Sequence, residues 1–315
     1  MKSYIGADLG GTKLLLGELD GEGRILRTER FPSGPLSQRE ALDLLQRALD
    51  KFLATRTPGY EPVAVGLGLI GRIDGKTGVW HEIDRDRGEA LPLGRLLRER
   101  CGLPCFLDND VRSAAKAELR FGEGRHTRDF VYLNVGTGIA AGLVSGGRMI
   151  TGGHCNAGEV GHTSSGLSLG VPCPCGRTDC AEAIASGSGI DRCARLLRRQ
   201  FPDTALSFPE SGRVSAGEVF RLSEKDALCR TLTENAATAI ANLIMNLVRF
   251  SDPDTVVLGG GVVADGFLYP RILEKLNAHT VRFVKRGIRL TGLDPAAIGL
   301  LGACSNAILG MEETA

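Results

Sequence analysis

"SYIGADLGGTKLLLGELD", residues 3–20, is two strand-like runs joined by a turn that holds an acid, two glycines, a hydroxyl and a lysine. The turn "DGEG" at 20–23 then leads into a third run, "RILRTERF" at 24–31, so the opening of the chain predicts strands joined as hairpins. The same pattern returns in "DFVYLNVGTGIAAGLVSGGRMI", residues 129–150: a strand, a Gly-Thr turn, a strand and a hairpin. Gly11, Thr12 and Gly17 fall on Gly136, Thr137 and Gly142 at a constant offset of 125. With one residue deleted, Arg24 and Ile25 fall on Arg148 and Met149. Turn chemistry and strand pattern agree, which predicts a structural repeat: two similar α/β halves with a cleft between them.

The segments outside the repeat fit that frame. Ala41, Leu44, Leu45, Ala48 and Leu53 recur on one helical face over residues 38–56. "PVAVGLGLIG" at 62–71 is a short apolar run between Pro and Gly, as expected of a buried strand. "LGRLLRERCGLPCFLDND" predicts a helix, a glycine stop and a strand ending at Asp108. Ile240, Leu243, Ile244, Leu247 and Val248 form another helical face, stopped by the Asp-Pro turn at Asp252. "TVVLGGGVV" then enters a glycine turn, and "GLLGACSNAILGM" reads as a helix of small residues.

A chain of 315 residues exceeds one ordinary domain, which agrees with two lobes. Its 38 basic and 37 acidic side chains nearly cancel, removing the electrostatic footprint of a nucleic-acid binder. No apolar run is long enough for a membrane helix, and "MKSYIGADLGG" lacks the apolar core of a signal peptide. No nucleic-acid or membrane partner and a cytoplasmic location are therefore expected. Nine cysteines in such a chain point away from a disulfide scaffold and toward metal or catalysis where they cluster. Cys101 and Cys105 stand apart from any further ligand type and are expected to pack as small buried residues.

Three glycine turns carry candidate chemistry. In "DLGGTK", Gly10 and Gly11 let backbone N–H groups approach phosphate oxygens, and Thr12 and Lys13 can add donors. Asp8 can hold a hydrated Mg²⁺ over the same phosphates. Gly136, Thr137 and Gly138 form a second such turn, and Gly259–Gly261 a third against which a flat nucleobase could lie. Singly, each is equally well a hairpin turn, and none has the P-loop or dinucleotide spacing. "LDND" places Asp108, Asn109 and Asp110 at a strand end, where they suit a base, a turn or a helix cap. His162, Cys173, Cys175 and Cys180 offer one nitrogen and three thiolates, a set suited to tetrahedral structural Zn²⁺ with no open position for water. Pro172 and Gly176 supply the turns such a loop needs.

In this order, "IGADLGGTK", "LDND", "NVGTGIAAG", "NAGEVGH", "CPCGRTDCAE" and "VVLGGGVV" resemble the ROK family, which groups sugar kinases with sugar-responsive repressors. The resemblance covers nearly the whole chain. It implies an α/β, two-lobed actin-like (RNase H-like) ATPase fold, with duplicated mixed β-sheet halves and an interlobe cleft. A small N-terminal lobe over 1–112, rejoined by a helix at about 298–315, and a large lobe over 113–297 with the zinc loop at 162–180 are expected. ATP phosphates would meet Asp8, Gly10, Gly11, Thr12, Lys13, Gly136, Thr137 and Gly138, with Gly259 and Gly260 near adenosine. Asp110 would be the base that accepts the sugar hydroxyl proton, and Asp108 structural. Asn109, Glu159, His162 and Glu182 would hold sugar hydroxyls, with His162 also a ligand of the zinc. The resemblance thus implies an ATP-dependent kinase of a hexose or hexose derivative, acting on the 6-OH. Catalytic Mg²⁺, structural Zn²⁺ and assembly as a homodimer or homotetramer are expected with it.

The alternative is a non-catalytic ROK sugar sensor. Such repressors carry a helix-turn-helix region before the first phosphate turn, and Asp8 lies too near Met1 to leave room for one. Several residues depart from the family pattern. Asp84 falls where the family usually has a sugar-contacting Asn, and Ile70 and Arg72 replace prolines. His154 is followed by Cys155 and Asn156 in place of a Gly-Ala pair, and Asp179 replaces a glycine of the cysteine loop. Exchanging amide for carboxylate removes a donor, so an amino, acylamino or epimeric hexose is expected to outrank glucose. Arg72, Arg85 and Arg87 leave an acidic or phosphorylated sugar open.

Overall fold

The computed structural model describes residues 1–11, 13–83 and 88–314; Thr12 and Asp84–Arg87 lie outside the described residues. Contacts group the chain into two units. The first comprises Met1–His126, Met149–Ala157 and Ala296–Ala315; the second comprises Thr127–Arg148 and Gly158–Pro295.

In the first unit, β1 (Lys2–Leu9), β2 (Lys13–Asp20) and β3 (Ile25–Pro32) form the hairpins read from the sequence. After α1 (Gln38–Leu53) come β4 (Glu61–Leu69), the small hairpin β5 (Arg72–Asp74) and β6 (Val79–Glu82), α2 (Leu93–Cys101), β7 (Cys105–Asn109) and α3 (Asp110–Phe121). The five-stranded sheet runs β3-β2-β1-β4-β7, antiparallel through β1–β2–β3 and parallel through β1–β4–β7. Capping follows the local chemistry. Ser37 and Glu40 close a capping box on α1, and Gly102, at φ 74, ends α2. Leu45, Leu49 and Phe52 of α1 join Ile5, Leu16 and Leu67 in the core of this unit.

On the sheet, Gly17, Gly6 and Gly66 stand side by side across β2, β1 and β4. A Cβ on any of them would run into Leu300 or the backbone of Ala303, both on α10 (Ile298–Thr314). Three adjacent strands thus omit side chains so that a helix of small residues can lie directly on their backbone. Asn306 fastens the contact by donating to Leu67 O and Ser113 Oγ, both at 2.8 Å.

The second unit repeats the plan. β8 (Phe130–Val135), β9 (Ile139–Ser145), β10 (Arg148–Met149), β11 (Thr255–Gly259) and β12 (Ile288–Leu290) run in the order β10-β9-β8-β11-β12. β8 is antiparallel to β9 and parallel to β11, as β1 is to β2 and β4. The offset of 125 therefore sets β2 on β9, with Gly17 opposite Gly6 and Gly142 opposite Tyr132. The helices of this unit are α4 (Ala181–Ala185), α5 (Gly187–Leu197), α6 (Ala216–Leu222), α7 (Ala227–Ser251), α8 (Leu268–Glu274) and α9 (Ala278–Val281), the other five each packing against α7. Helix α7 starts where Asp226 accepts from Cys229 N–H and ends at Asp252, which turns into the left-handed region at φ 44. The predicted face Ile240, Leu243, Ile244, Leu247 and Val248 is buried in the core of this unit.

Candidate functional site

The first unit carries the turn after β1 and the corner between β7 and α3. Asp8 sits near the end of β1, and burial pushes its carboxyl above the usual carboxylate range, against the opposing pull of Lys13. Gly299 at the start of α10 lacks a side chain where the Asp8 carboxylate lies. Gly10 N–H donates to Lys13 O at 3.0 Å, closing the turn, and Ser33 Oγ donates to Gly10 O at 3.1 Å. Neither Gly10 nor Gly11 adopts a positive φ, and a Cβ on Gly11 would meet nothing within 4 Å. The protein's own packing does not demand glycine at residue 11. Its exposed backbone is left bare, as close approach by a ligand requires. Thr12 lies outside the described residues.

At the corner, Asn109 is the N-cap of α3: its Oδ1 accepts from Val111 N–H at 3.0 Å and Arg112 N–H at 3.3 Å. Its Nδ2 donates to Gly71 O at 3.2 Å. Asp110 is the first helical residue, half-buried, and its Oδ1 accepts from Val111 N–H at 2.9 Å. Because Asn109 does the capping, the fold does not need Asp110 as the cap. Asp108 is buried and ion-paired to Arg112 (2.6 Å) and Lys116 (2.8 Å). Burial alone would raise its carboxyl, but these two cations hold it below the usual carboxylate range.

The second unit carries the turn between β8 and β9. Gly136 N–H donates to Gly138 O at 2.9 Å, and Thr137 is exposed at the tip. Gly187 and Ser188, opening α5, donate their N–H groups to Gly136 O and Thr137 O. Ser186 caps that helix by accepting from Gly189 N–H. The sequence reading missed this buttress, although "SGSG" at 186–189 is a helix-start signature. Glu182 Oε2 accepts from Ile139 N–H at 2.9 Å and would stand 2.7 Å from a Cβ at Gly138. Gly259 and Gly260, at the end of β11, have a different cause. A Cβ on Gly259 would strike Tyr132, and Gly260, at φ 92, presses on Val135. Gly261 is open.

His162, Cys173, Cys175 and Cys180 converge, with one ligand atom from each lying within 4.8 Å of all the others. His162 Nδ1 is 3.4 Å from Cys173 Sγ, and Cys175 Sγ is 3.6 Å from Cys180 Sγ. A tetrahedron with metal–sulfur bonds of about 2.3 Å has edges near 3.8 Å, so these spacings fit one central ion. Burial and the neighbouring thiols push the Cys180 thiol up to about 12 and raise that of Cys173. The Arg177 backbone N–H lowers the Cys175 thiol instead, so Cys173 and Cys180 are the two that resist ionising until a cation joins them. Asp179, at φ 55, occupies backbone space that favours glycine. Its carboxylate accepts from Gly170 N–H (3.0 Å) and Val171 N–H (2.8 Å), which offsets the strain and ties the loop together. The other edge of His162 faces outward, Nε2 lying 3.8 Å from Glu159 Oε2. Cys180 immediately precedes α4, so the cysteine loop leads directly into Glu182.

Several residues fall elsewhere. Arg72 is ion-paired to Glu82 at 2.9 Å. Asp84, Arg85 and Arg87 lie outside the described residues. Cys101 and Cys105 are partly buried with their sulfurs 3.9 Å apart, and hydrogen bonding from Cys105 lowers the Cys101 thiol to about 6. No helix among the described residues is long and apolar enough to cross a membrane.

Two units of one topology, each with a glycine turn between its first two strands, define the actin-like ATPase fold. The ROK family sequence profile matches residues 4–304, and the chain belongs to the ROK family. It is 30% identical over 314 residues to a glucokinase of Halalkalibacterium halodurans, covering 94% of this chain and 93% of that protein. It is 33% identical over 263 residues to an N-acetylmannosamine kinase of Escherichia fergusonii, covering 83% and 84%. A ROK family glucokinase from Streptomyces griseus, solved with glucose and AMPPNP, superposes with a TM-score of 0.76 at 26% identity, covering 98% and 100%.

Proposed function

We propose that this chain is an ATP-dependent sugar kinase that transfers the γ-phosphoryl group to a hexose or hexose-derivative hydroxyl, the 6-OH. Asp110 accepts the hydroxyl proton as the sugar oxygen bonds to γ-phosphorus and the bond to the bridging oxygen breaks, releasing ADP. The backbone of Gly10–Gly11 and Gly136–Gly138, with Lys13, Thr12 and Thr137, receives the phosphates. Asn109, Glu159, His162 and Glu182 orient the sugar. The observation that carries this is the glycine turn repeated at equivalent strand junctions of both units, bare at Gly11, in a chain whose named relatives are sugar kinases. A non-catalytic sensor role is not favoured.

Asp8 suits Mg²⁺: its buried carboxylate gains from a hard cation, and Mg²⁺ held there supplies charge neutralisation at the phosphates. His162, Cys173, Cys175 and Cys180 suit Zn²⁺, which would fill all four positions from protein and so hold structure. With Nδ1 toward the ion, Nε2 keeps its proton and points at Glu159 as a fixed donor. The metal loop thereby sets the orientation of a sugar-binding wall.

The relatives include both glucokinase and N-acetylmannosamine kinase, so specificity rests on this chain's own residues. Asp84 and the His154–Cys155–Asn156 segment support a preference for an amino, acylamino or epimeric hexose over glucose. Arg72 is neutralised by Glu82, which argues against its reading an acidic sugar. Sugar-dependent ADP release over hexoses, hexosamines, N-acetylhexosamines and ketoses tests both levels. No release with any sugar would refute the kinase assignment, and glucose ranking first by a wide margin would refute the preference.

A further inference from the structure

We propose that Arg112 is a positioning residue of the phosphoryl-acceptor site, whose guanidinium fixes the Asn109–Asp110 corner by holding three backbone segments at once. This rests on the kinase assignment of Asp110. Arg112 lies on α3 and is 4% exposed. Its Nε donates to Asp108 Oδ1 at 2.6 Å, its Nη1 to Cys155 O at 2.9 Å and its Nη2 to Ile73 O at 2.9 Å. Asp108 Oδ1 also accepts from Asn109 N–H at 2.8 Å, and Asn109 Nδ2 reaches Gly71 O, two residues from Ile73. The end of β7, the 71–73 segment and the 149–157 segment therefore meet on one planar fork.

Cys155 shows what that fork has to hold. Among the described residues it is one of three non-glycine residues in the left-handed region, at φ 57. Such a conformation persists only where the surroundings over-determine it. One anchor is Arg112 on its carbonyl. The other is Asp74, whose carboxylate lies beside the Cys155 thiol while accepting from Lys76 N–H and Thr77 Oγ1.

Neutralising Asp108 does not by itself require arginine. Lys116 Nζ lies 2.8 Å from Asp108 Oδ2 and also donates to Asn306 Oδ1 at 3.0 Å. What only a guanidinium supplies is three divergent donors in a fixed plane. A lysine at 112 could serve Asp108 but not both carbonyls.

The test compares Arg112→Lys and Arg112→Gln with Lys116→Met, which disturbs the same buried ion pair without touching Cys155 or Ile73. Both Arg112 variants should lower kcat/KM for the sugar by about tenfold to a hundredfold and leave KM for ATP unchanged. Lys116→Met should lower the melting temperature and leave sugar kcat/KM unchanged. Independently of activity, iodoacetamide labelling of Cys155, followed by peptide mass mapping, should be faster in both Arg112 variants and unchanged in Lys116→Met. Equal loss of sugar kcat/KM in Lys116→Met, or unchanged Cys155 labelling in the Arg112 variants, would overturn the proposal. If the wild-type chain released no ADP with any sugar, the kinase assignment would fall, and Cys155 labelling would still decide whether Arg112 holds the corner.

Discussion

Replacing Gly11 with alanine separates a phosphate turn from an ordinary hairpin. The backbone at residue 11 lies outside the left-handed region, and the added methyl would meet no atom of the protein within 4 Å. Folding stability should therefore stay level or rise by about 0.4–1 kcal/mol, because alanine narrows the unfolded ensemble. Nucleotide binding should suffer, since the methyl occupies the space through which phosphate oxygens reach the backbone N–H groups. Losing one such charge-assisted bond costs about 1.5–3 kcal/mol, or about tenfold to a hundredfold in affinity. Gly260→Ala is the counterpart. At φ 92, with its Cβ pressed to 2.5 Å from the Val135 backbone, it should lose stability whether or not nucleotide is present. Differential scanning calorimetry with titration calorimetry of ATP reads both quantities. If Gly11→Ala melted several degrees lower and bound ATP as well as the wild type, the turn would be a structural hairpin and the phosphate assignment would be wrong.

Other perturbations probe the remaining parts. Asp110→Asn keeps an oxygen for Val111 N–H but loses the proton acceptor, so turnover should fall by about 10²–10⁴ with the melting temperature nearly unchanged; near-normal turnover would remove Asp110 from the mechanism. Elemental analysis should find about one zinc per chain, lost together with sugar affinity in Cys175→Ala. Asp179→Gly should be tolerated, whereas Asp179→Ala, left at φ 55 without acceptors for Gly170 and Val171, should cost about 2 kcal/mol or more in a chemical melt. Asp108, held below its unfolded value near 3.9 by Lys116 and Arg112, contributes stability above that pH and loses it as pH falls through its folded value. Urea melts from pH 7 downward should therefore show the deficit of Asp108→Asn shrinking below about pH 4; a constant deficit would refute the ion-pair account.

What the sequence made legible was local. The repeated turns, the alternation of β1 and β2, and the one His and three Cys within one loop are short-range patterns, and each appears where its spacing predicts. At Gly259 and Gly260 the sequence suggested only a ligand-facing turn, whereas Tyr132 and Val135 add a packing demand for glycine that lies on another strand far away in the chain. Asn109 offered a cap and a sugar contact in the same three letters. Only its bonds to Val111, Arg112 and Gly71 show how much of it the fold already uses. Arg112 and Lys116 were not singled out at all, since contact with Cys155 and Asn306 has no local signal. Gly6, Gly17 and Gly66 likewise gave no hint that one helix would lie across all three.

That helix imposes an order on synthesis. Asn306 reaches Leu67 across 239 residues, and the row of glycines it rests near has no side chains of its own to cover the sheet. While the ribosome is still making the second unit, β1, β2 and β4 can pair but must leave one face of their sheet open to solvent. Such long-range closure is slow and leaves unpaired apolar surface available to neighbours. Until α10 emerges, the nascent first unit would therefore carry an uncovered sheet face. A ribosome stalled before Ala296 should hold it in a protease-sensitive state, even though every strand of its sheet has already been made.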